Sequence, residues 1–301
     1  MTATGAFSAH GLTVRISSPD PGVVAAFDDV LVDMHFDIGS SGSASEVPGD
    51  TAGLLVEIVP LIARHGGAPT YRVSVDNAPV YETLIEGSVV SHVLMEVNQR
   101  VAAAVWSNGS IPLHASTVGE PSGAVVLAGA SHSGKTTLAA ALAVTGADGV
   151  QFLADEVSAL HPTDLTIAPY GKPVALRTPG SDLLVPNVAR LRRAASRFET
   201  DERFVPPSEL GTPPSASART IAVVFPRFDP AASATRLDPA SPVAALTRLV
   251  QLTLGTRRVD TTTFRALERL VRLVDVYDLS YVDALDAADR LRAVICDGEP
   301  A

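Results

Sequence analysis

The stretch Gly129-Ala130-Ser131-His132-Ser133-Gly134-Lys135-Thr136-Thr137 has the spacing of a phosphate loop, in which Gly, four residues and a second Gly precede Lys and Ser or Thr. The apolar run 124–128 before it has the length of a strand, and segment 138–144 after it is rich in good helix formers. Strand, glycine-rich loop and helix form the context in which this pattern binds phosphate. The sequence therefore predicts a nucleoside triphosphate site formed by residues 129–137.

The residue types in this loop have distinct physical tasks. Gly129 and Gly134 permit backbone torsions closed to other residues, so successive N–H groups can curve around a phosphate at a helix N-terminus. Lys135 is expected to reach the terminal phosphates, and the Thr136 hydroxyl is expected to bind Mg²⁺. The predicted cofactors are therefore a nucleoside triphosphate and Mg²⁺.

The acidic pair Asp155-Glu156 follows the apolar run 150–154, and Asp155 lies twenty residues after Lys135. One carboxylate at a strand end can hold Mg²⁺, and the other can accept a proton from an attacking hydroxyl or orient water. Spacing alone does not assign the two roles. Transport and mechanical ATPases also have a hydrophobic strand that ends in Asp-Glu, but usually much farther from the loop lysine, and no transporter signature segment is found here.

His114 lies fifteen residues before Gly129, inside the apolar run 111–118, which is predicted to form a strand beside the phosphate-loop strand. A lone histidine in such a run is usually a hydrogen-bonded core residue. Its position also allows a catalytic or phosphate-contacting role, and the residues alone leave both interpretations open.

The whole chain has the composition of a globular protein. Its 301 residues are 46% hydrophobic and 19% charged, which gives room for a sizeable core. The net charge of -10 argues against broad binding to nucleic acid or anionic membranes. The single cysteine, Cys296, allows no internal disulfide, and neither a signal peptide nor a membrane span is recognisable. We therefore expect a cytoplasmic protein, and a homo-oligomer is possible.

Hydrophobic periodicity divides the chain into two parts. Residues 1–87 are predicted to be a smaller β-rich N-terminal part, with strand patterns at 11–16, 30–38, 54–59 and 71–75. Residues 88–301 are predicted to be the nucleotide-binding domain, which begins with an amphipathic helix at 88–106 and ends in helices beyond residue 241. The segment 178–218, rich in Pro and Arg, is the least regular and is a candidate flap. The close succession of strands predicts a mixed central sheet.

These motifs, in this order, resemble the catalytic domain of HPr kinase/phosphorylase, and more closely the divergent bacterial kinases that phosphorylate a serine in lasso-peptide precursors. The similarity rests on residues 111–115, the phosphate loop and Leu153-Ala154-Asp155-Glu156, with 170–177 as a weaker continuation. It implies an α/β phosphate-loop kinase fold of HPr kinase type. It further implies that Asp155 is the catalytic base, that Glu156 contacts Mg²⁺, and that His114 lies near the transferring phosphate.

Two departures from that family bear on the acceptor. Glu156 stands where the family commonly has a second aspartate, and the glycine-rich signature that follows the pair in HPr kinase/phosphorylases is not found. HPr itself is therefore not the expected acceptor. The predicted function is an ATP- and Mg²⁺-dependent kinase whose acceptor hydroxyl belongs to a serine of a peptide or protein. The alternatives are a small-molecule kinase and a nucleotide-binding regulatory protein with little transfer activity.

Overall fold

The computed structural model describes residues 2–3, 6–35, 52–61, 69–120, 122–146, 149–193, 198–199, 201–213, 215–255 and 259–295. The strands are β1 Thr2–Ala3, β2 Phe7–Ala9, β3 Leu12–Ser18, β4 Ala52–Leu61, β5 Thr70–Val75, β6 Ala78–Ile85, β7 Ile111–Leu113, β8 Ala115–Glu120, β9 Gly123–Ala128, β10 Gln151–Ala154, β11 Ser158–Leu160, β12 Thr166–Ala168, β13 Val174–Arg177, β14 Glu202–Val205, β15 Ala218–Phe228, β16 Arg236–Pro239 and β17 Asp275–Tyr281. The α-helices are α1 Pro21–Val30, α2 Val89–Ser107, α3 Lys135–Thr145, α4 Gly180–Leu184, α5 Pro242–Gln251, α6 Thr261–Leu273 and α7 Ala284–Ile295. The chain is therefore mixed α/β.

The N-terminal sheet has the strand order β1-β3-β4-β5-β6, with β2 paired to β3. Strands β3 and β4 are parallel, whereas the β4–β5 and β5–β6 pairs are antiparallel. Helix α1 begins after Asp20, whose side chain accepts a hydrogen bond of 2.8 Å from the Gly22 N–H and caps the helix. Apolar residues of α1 and α2 pack in the same core as those of β3, β4 and β5.

A larger mixed sheet carries the phosphate loop. Strand β9 pairs parallel with β15, and β15 pairs parallel with β17. On the other side β9 pairs antiparallel with β8, which pairs antiparallel with β10, so β10 runs in the same direction as β9. Strands β12, β11 and β7 continue the sheet beyond β15 in antiparallel fashion. The predicted mixed sheet is thus confirmed.

Helices cover both faces of this sheet. Because successive strand residues point to opposite faces, neighbouring residues of one strand belong to different cores. Val125 and Leu127 of β9 belong to the core formed with α3 and α7. Val126 and Ala128 belong to the opposite core, formed with α5 and α6. A strand buried on both faces reads as a continuous apolar run, which is the pattern seen at 124–128.

Several predicted elements differ from the structure. The pattern at 30–38 does not form a strand, because Val32–His35 is a 3-10 helix, while 36–38 lie outside the described residues. Helix α1 and the edge strand β6 were not predicted. The run 111–118 is divided at His114 into β7 and β8. The predicted strands at 11–16, 54–59 and 71–75, the helix at 88–106 and the helices beyond 241 are confirmed.

Segment 178–218 has more regular structure than the sequence suggests. Helix α4 lies in it, and β14 pairs antiparallel with β13 to form a two-stranded sheet. Arg190 donates 2.8 Å to the Phe204 carbonyl oxygen and forms an ion pair of 2.6 Å with Asp29. Arg197 lies outside the described residues. A movement of this segment over the site stays a prediction.

Among the described residues, none of the helices combines the length and the apolar character needed to cross a membrane.

Candidate active site

The sheet register brings three separated parts of the sequence to one edge. Ala115, the first residue of β8, pairs with Ala128, the last residue of β9. Ala154, the last residue of β10, pairs with Thr117 of β8. The residues just beyond these strand ends are His114, the phosphate loop and Asp155. The predicted loop, acidic pair and histidine are therefore assembled at the same edge of the sheet.

The phosphate loop is a tight turn that ends at the N-terminus of α3. Gly134 caps the helix with a φ of 91°, in the left-handed region that favours glycine. The Tyr281 hydroxyl donates 2.9 Å to the Gly134 carbonyl oxygen, and a Cβ at position 134 would overlap that hydroxyl. The Phe228 N–H donates 3.0 Å to the Ser133 carbonyl oxygen. Strands β15 and β17 thus fix the loop from one side.

Lys135 is buried, and its Nζ donates 3.0 Å to the Ala130 carbonyl oxygen. Burial lowers the pKa of Lys135, and the negative charges of Glu156 and Asp155 oppose this change. The ammonium is therefore held over the loop, within the electrostatic reach of both predicted acids.

Asp155 is buried, and its two carboxylate oxygens have different surroundings. Oδ1 accepts hydrogen bonds from the Ser116 hydroxyl at 2.5 Å and from the Thr136 hydroxyl at 3.0 Å. Oδ2 lies 3.5 Å from the Lys172 Nζ. Oδ1 therefore faces the threonine that phosphate-loop proteins use for Mg²⁺, while Oδ2 faces a lysine.

Glu156 lies next to His114. His114 Nε2 is 3.0 Å from Glu156 Oε2, but the contact lacks hydrogen-bond alignment, and this buried nitrogen has no other partner among the described residues. The contact with His114, followed by the charges of Lys172 and Lys135, lowers the pKa of Glu156 to about 2, against the opposing effect of burial. Glu156 has a φ of 65°, so the turn after β10 directs it away from the regular strand path.

A cavity of about 660 Å³ opens above the N-terminus of α3; we call it the lysine cavity. Its walls come from the loop, the acidic pair, the β13–β14 hairpin, α4 and the end of β17. The lining includes Ser131, His132, Gly134, Lys135, Thr136, Thr137, Asp155, Glu156, Lys172, Arg177, Thr178, Pro179, Gly180, Leu183, Glu202, Phe228, Tyr281 and Val282. A volume of this size is ordinary for a small-molecule or cofactor site.

The remaining predicted loop residues face a second cavity of about 630 Å³, the arginine cavity, on the α5 side of the sheet. Gly129, Ala130 and Ser133 line it together with Arg227, Arg236, Asp238, Arg248 and Asp278. His114 lines neither cavity and reaches the site through Glu156.

Within the described residues, no group of three or more His, Cys, Asp or Glu side chains could hold a metal ion. Mg²⁺ commonly takes one or two protein carboxylates together with phosphate and water oxygens, so the oxygens of Thr136, Asp155 and Glu156 fit such a shared site. The structure therefore suits an ion bound together with a nucleotide.

Lys172, Tyr281 and Ser116 are among the residues of this site that were not predicted from the sequence. Lys172 and Tyr281 line the lysine cavity, and Ser116 holds Asp155. Lys172 was noted only inside the weak motif continuation 170–177, and Tyr281 comes from a distant strand. Only Ser116 had a readable signal, because it lies two positions after His114 in the same predicted strand.

No family model matches the sequence, and no curated protein matches it significantly. The geometry above and the motif resemblance are therefore the grounds for a functional proposal.

Proposed function

We propose that this protein is an ATP- and Mg²⁺-dependent kinase that transfers the γ-phosphoryl group to a hydroxyl. The observation that carries the proposal is the contact between Asp155 and the loop residue Thr136, 3.0 Å apart, inside the cavity that also contains Lys135. A proton acceptor and an anion-binding loop thus face the same space. The HPr kinase type of phosphate-loop fold belongs to the same proposal and is supported by the mixed sheet and by the order of the motifs.

The triphosphate is expected to lie along the phosphate loop, where backbone N–H groups and the α3 N-terminus attract anions. Lys135 then contacts the terminal phosphates. Thr136 and Glu156 would hold Mg²⁺, which when bound neutralises charge on the β- and γ-phosphates. The exposed side chains of Phe228 and Val282, which also line the cavity, offer an apolar surface to the nucleotide base.

The acceptor oxygen attacks the γ-phosphorus as the bond from that phosphorus to the β–γ bridging oxygen breaks. The acceptor proton passes to Asp155 Oδ2, and ADP carries away the electrons of the broken bond. Ser116 and Thr136 hold the other oxygen of the same carboxylate, so the base is oriented before the acceptor enters. His114 positions Glu156 beside it.

The acceptor is assigned by resemblance as a serine of a peptide or protein. Arg177 at the cavity wall is already paired with Glu202 at 2.5 Å, so the wall itself carries balanced charge. Such a wall suits a neutral hydroxyl-bearing acceptor as well as an acidic acceptor. The same site would also serve a small-molecule acceptor.

Purified protein with labelled ATP and Mg²⁺ tests the proposal against panels of serine-containing peptides and hydroxyl metabolites. The expected result is ADP formation coupled to a phosphate-sized mass gain on one acceptor, with loss of both when EDTA removes the metal. Saturable MgATP binding without any transfer product would favour the regulatory alternative. Absence of nucleotide binding would overturn the proposal altogether.

A further inference from the structure

Two of the 23 basic side chains in the chain are lysines, Lys135 and Lys172, and arginine occupies every other basic position. Both lysines are buried and both line the lysine cavity. Lysine carries a compact charge on a flexible stem, whereas arginine offers a planar fork suited to bidentate pairing. The only two compact cations of the chain therefore face the same enclosed space.

Lys172 has few partners for a buried ammonium. Its side chain is 3% exposed, and among the described residues its Nζ makes one hydrogen bond, of 3.5 Å to Asp155 Oδ2, while its charge also acts on Glu156. An ammonium has three donors, and a buried charge is costly unless it is paired and hydrogen-bonded. The Lys172 ammonium thus has N–H donors left for a ligand in the cavity.

The backbone on both sides of Lys172 is fixed. The Tyr170 N–H donates 2.7 Å to the Leu153 carbonyl oxygen, and the Tyr170 hydroxyl donates 2.9 Å to Asn98 Oδ1 on α2. Gly171 packs against the Asp33 carbonyl so closely that a Cβ would overlap it. The segment that carries Lys172 is thereby held by β10, by α2 and by the backbone at Asp33. Such a fixed charge needs little reorganisation when it stabilises a reacting group.

We propose that Lys172 binds the transferring phosphoryl group from the Asp155 side of the cavity and is a catalytic residue. This inference rests on the proposed kinase function. Charge on the transferring group spreads over three equatorial oxygens, and Lys135, held at the loop, reaches the group from the loop side. Lys172 lies beside the base, where the acceptor oxygen approaches, so its donors meet a γ-phosphoryl oxygen as the proton leaves for Asp155.

A purely structural role for Lys172, as a counter-charge to Asp155, predicts different behaviour. The environment of a structural lysine would change with any nucleotide that alters the cavity. Its substitution would lower the affinities for ADP and ATP equally. A phosphoryl-binding lysine responds to the γ-phosphate and leaves MgADP affinity unchanged.

The variants Lys172→Met and Lys172→Arg separate these roles in the full chain. For Lys172→Met we expect kcat to fall about 100-fold with MgADP affinity within about 2-fold of wild type, in the range for removing one preorganised donor. Lys172→Arg keeps the charge and is expected to restore only part of kcat. Equal losses in MgADP and MgATP affinity, with kcat unchanged at saturation, would overturn the inference.

Because the chain has two lysines, selective ¹⁵N,¹³C-lysine labelling gives two side-chain NMR signals, and the binding response is measured on the wild-type protein. Lys135→Arg and Lys172→Arg assign the signals. We expect the Lys172 signal to shift with the magnesium complex of a β,γ-imido ATP analogue and to stay unchanged with MgADP. A Lys135 response alone overturns this inference, as does an equal Lys172 shift with MgADP. If neither lysine signal changes with the ATP analogue, the kinase proposal is overturned and the inference with it.

Discussion

The lysine cavity and the arginine cavity flank the same phosphate loop and have nearly equal volumes, about 660 and 630 Å³. Their cations differ in how they are paired. In the arginine cavity, Arg248 forms two hydrogen bonds with Asp278, at 2.5 and 3.2 Å, and lies 4.1 Å from the centre of the Phe225 ring. Arg236 is paired with Asp238 at 3.2 Å. Among the described residues, the hydrogen-bond partners of the two lysines are one carbonyl oxygen and one carboxylate at 3.5 Å.

The two cavities thus have similar volumes but differ in how their cations are paired. The arginines already have aspartate partners, so a new anion would have to compete with them. The lysine cavity keeps cation donors available beside Asp155, whose carboxylate is oriented by Ser116 and Thr136. We therefore expect substitutions in the lysine cavity to affect transfer, and equivalent substitutions in the arginine cavity to affect mainly stability.

The largest effect is expected from Asp155→Asn, compared with Asp278→Asn in the arginine cavity. Asparagine keeps the size of the side chain but cannot accept the acceptor proton, so kcat should fall about 10³-fold, within the range for general base catalysis. Asp278→Asn should leave kcat within about 2-fold. Steady-state kinetics with saturating MgATP make the measurement, and thermal unfolding checks that both variants fold. Full activity in Asp155→Asn would remove the base assignment.

The next largest effect is expected from Lys135→Met, with Arg236→Met in the arginine cavity as the matched control. Methionine fills a similar space without the charge, so the fold should persist while the terminal phosphates lose a cation. We expect kcat/KM for ATP to fall about 10²-fold, which corresponds to about 3 kcal/mol of transition-state stabilisation. Arg236→Met, which removes an exposed ion pair, should change it by less than about 2-fold. Equal losses in both variants would mean that the two cavities do not differ in function.

The elements of the site that depend on local sequence pattern were predicted from the sequence. The phosphate loop, its strand and helix, and the strand that ends in Asp155 are continuous stretches with characteristic periodicity. Helix α1 was missed although Asp20-Pro21 is a helix-start signal and Val23, Val24, Phe27 and Val30 share a face. Strand β6 is an exposed edge strand, and without a buried face it has little alternating pattern.

The pairing of charges could not be predicted in the same way. Lys172 meets Asp155 only because the turn after β12 returns the chain to the end of β10, where Tyr170 bonds to Leu153. Arg248 meets Asp278 because α5 packs over the ends of β15 and β17. These contacts depend on tertiary structure, and no spacing in the sequence encodes them.

Arg248→Met should affect stability and leave catalysis unchanged. The substitution removes the paired hydrogen bonds to Asp278 and the contact with the Phe225 ring. Because the Arg248 side chain is 35% exposed, solvent screening limits the loss to about 1 kcal/mol in the free energy of unfolding. Urea denaturation measures this loss. A transfer rate lowered more than about 2-fold would show that the arginine cavity takes part in the reaction.

The smallest effect concerns the pH dependence of Glu156. Its pKa is about 2 in the folded protein, below the ordinary value of 4.5, so its stabilising contribution is complete above about pH 4.5 and is lost as the pH falls towards 2. Because 43% of the side chain is exposed, screening keeps this contribution small. We expect Glu156→Gln to unfold with a shallower pH dependence than wild type between pH 4.5 and 2, as measured by urea denaturation.

A double-mutant cycle with His114→Gln tests whether the histidine is the main cause of that low pKa. If it is, the coupling free energy between Glu156→Gln and His114→Gln should be favourable at pH 5, where the glutamate is ionised, and should diminish towards pH 2. A coupling that does not change with pH would assign the low pKa to the two lysines instead. Lys135 and Lys172 would then keep Glu156 ionised without a contribution from His114. The contrast with the arginine cavity, where each cation is paired with its own carboxylate, would become sharper.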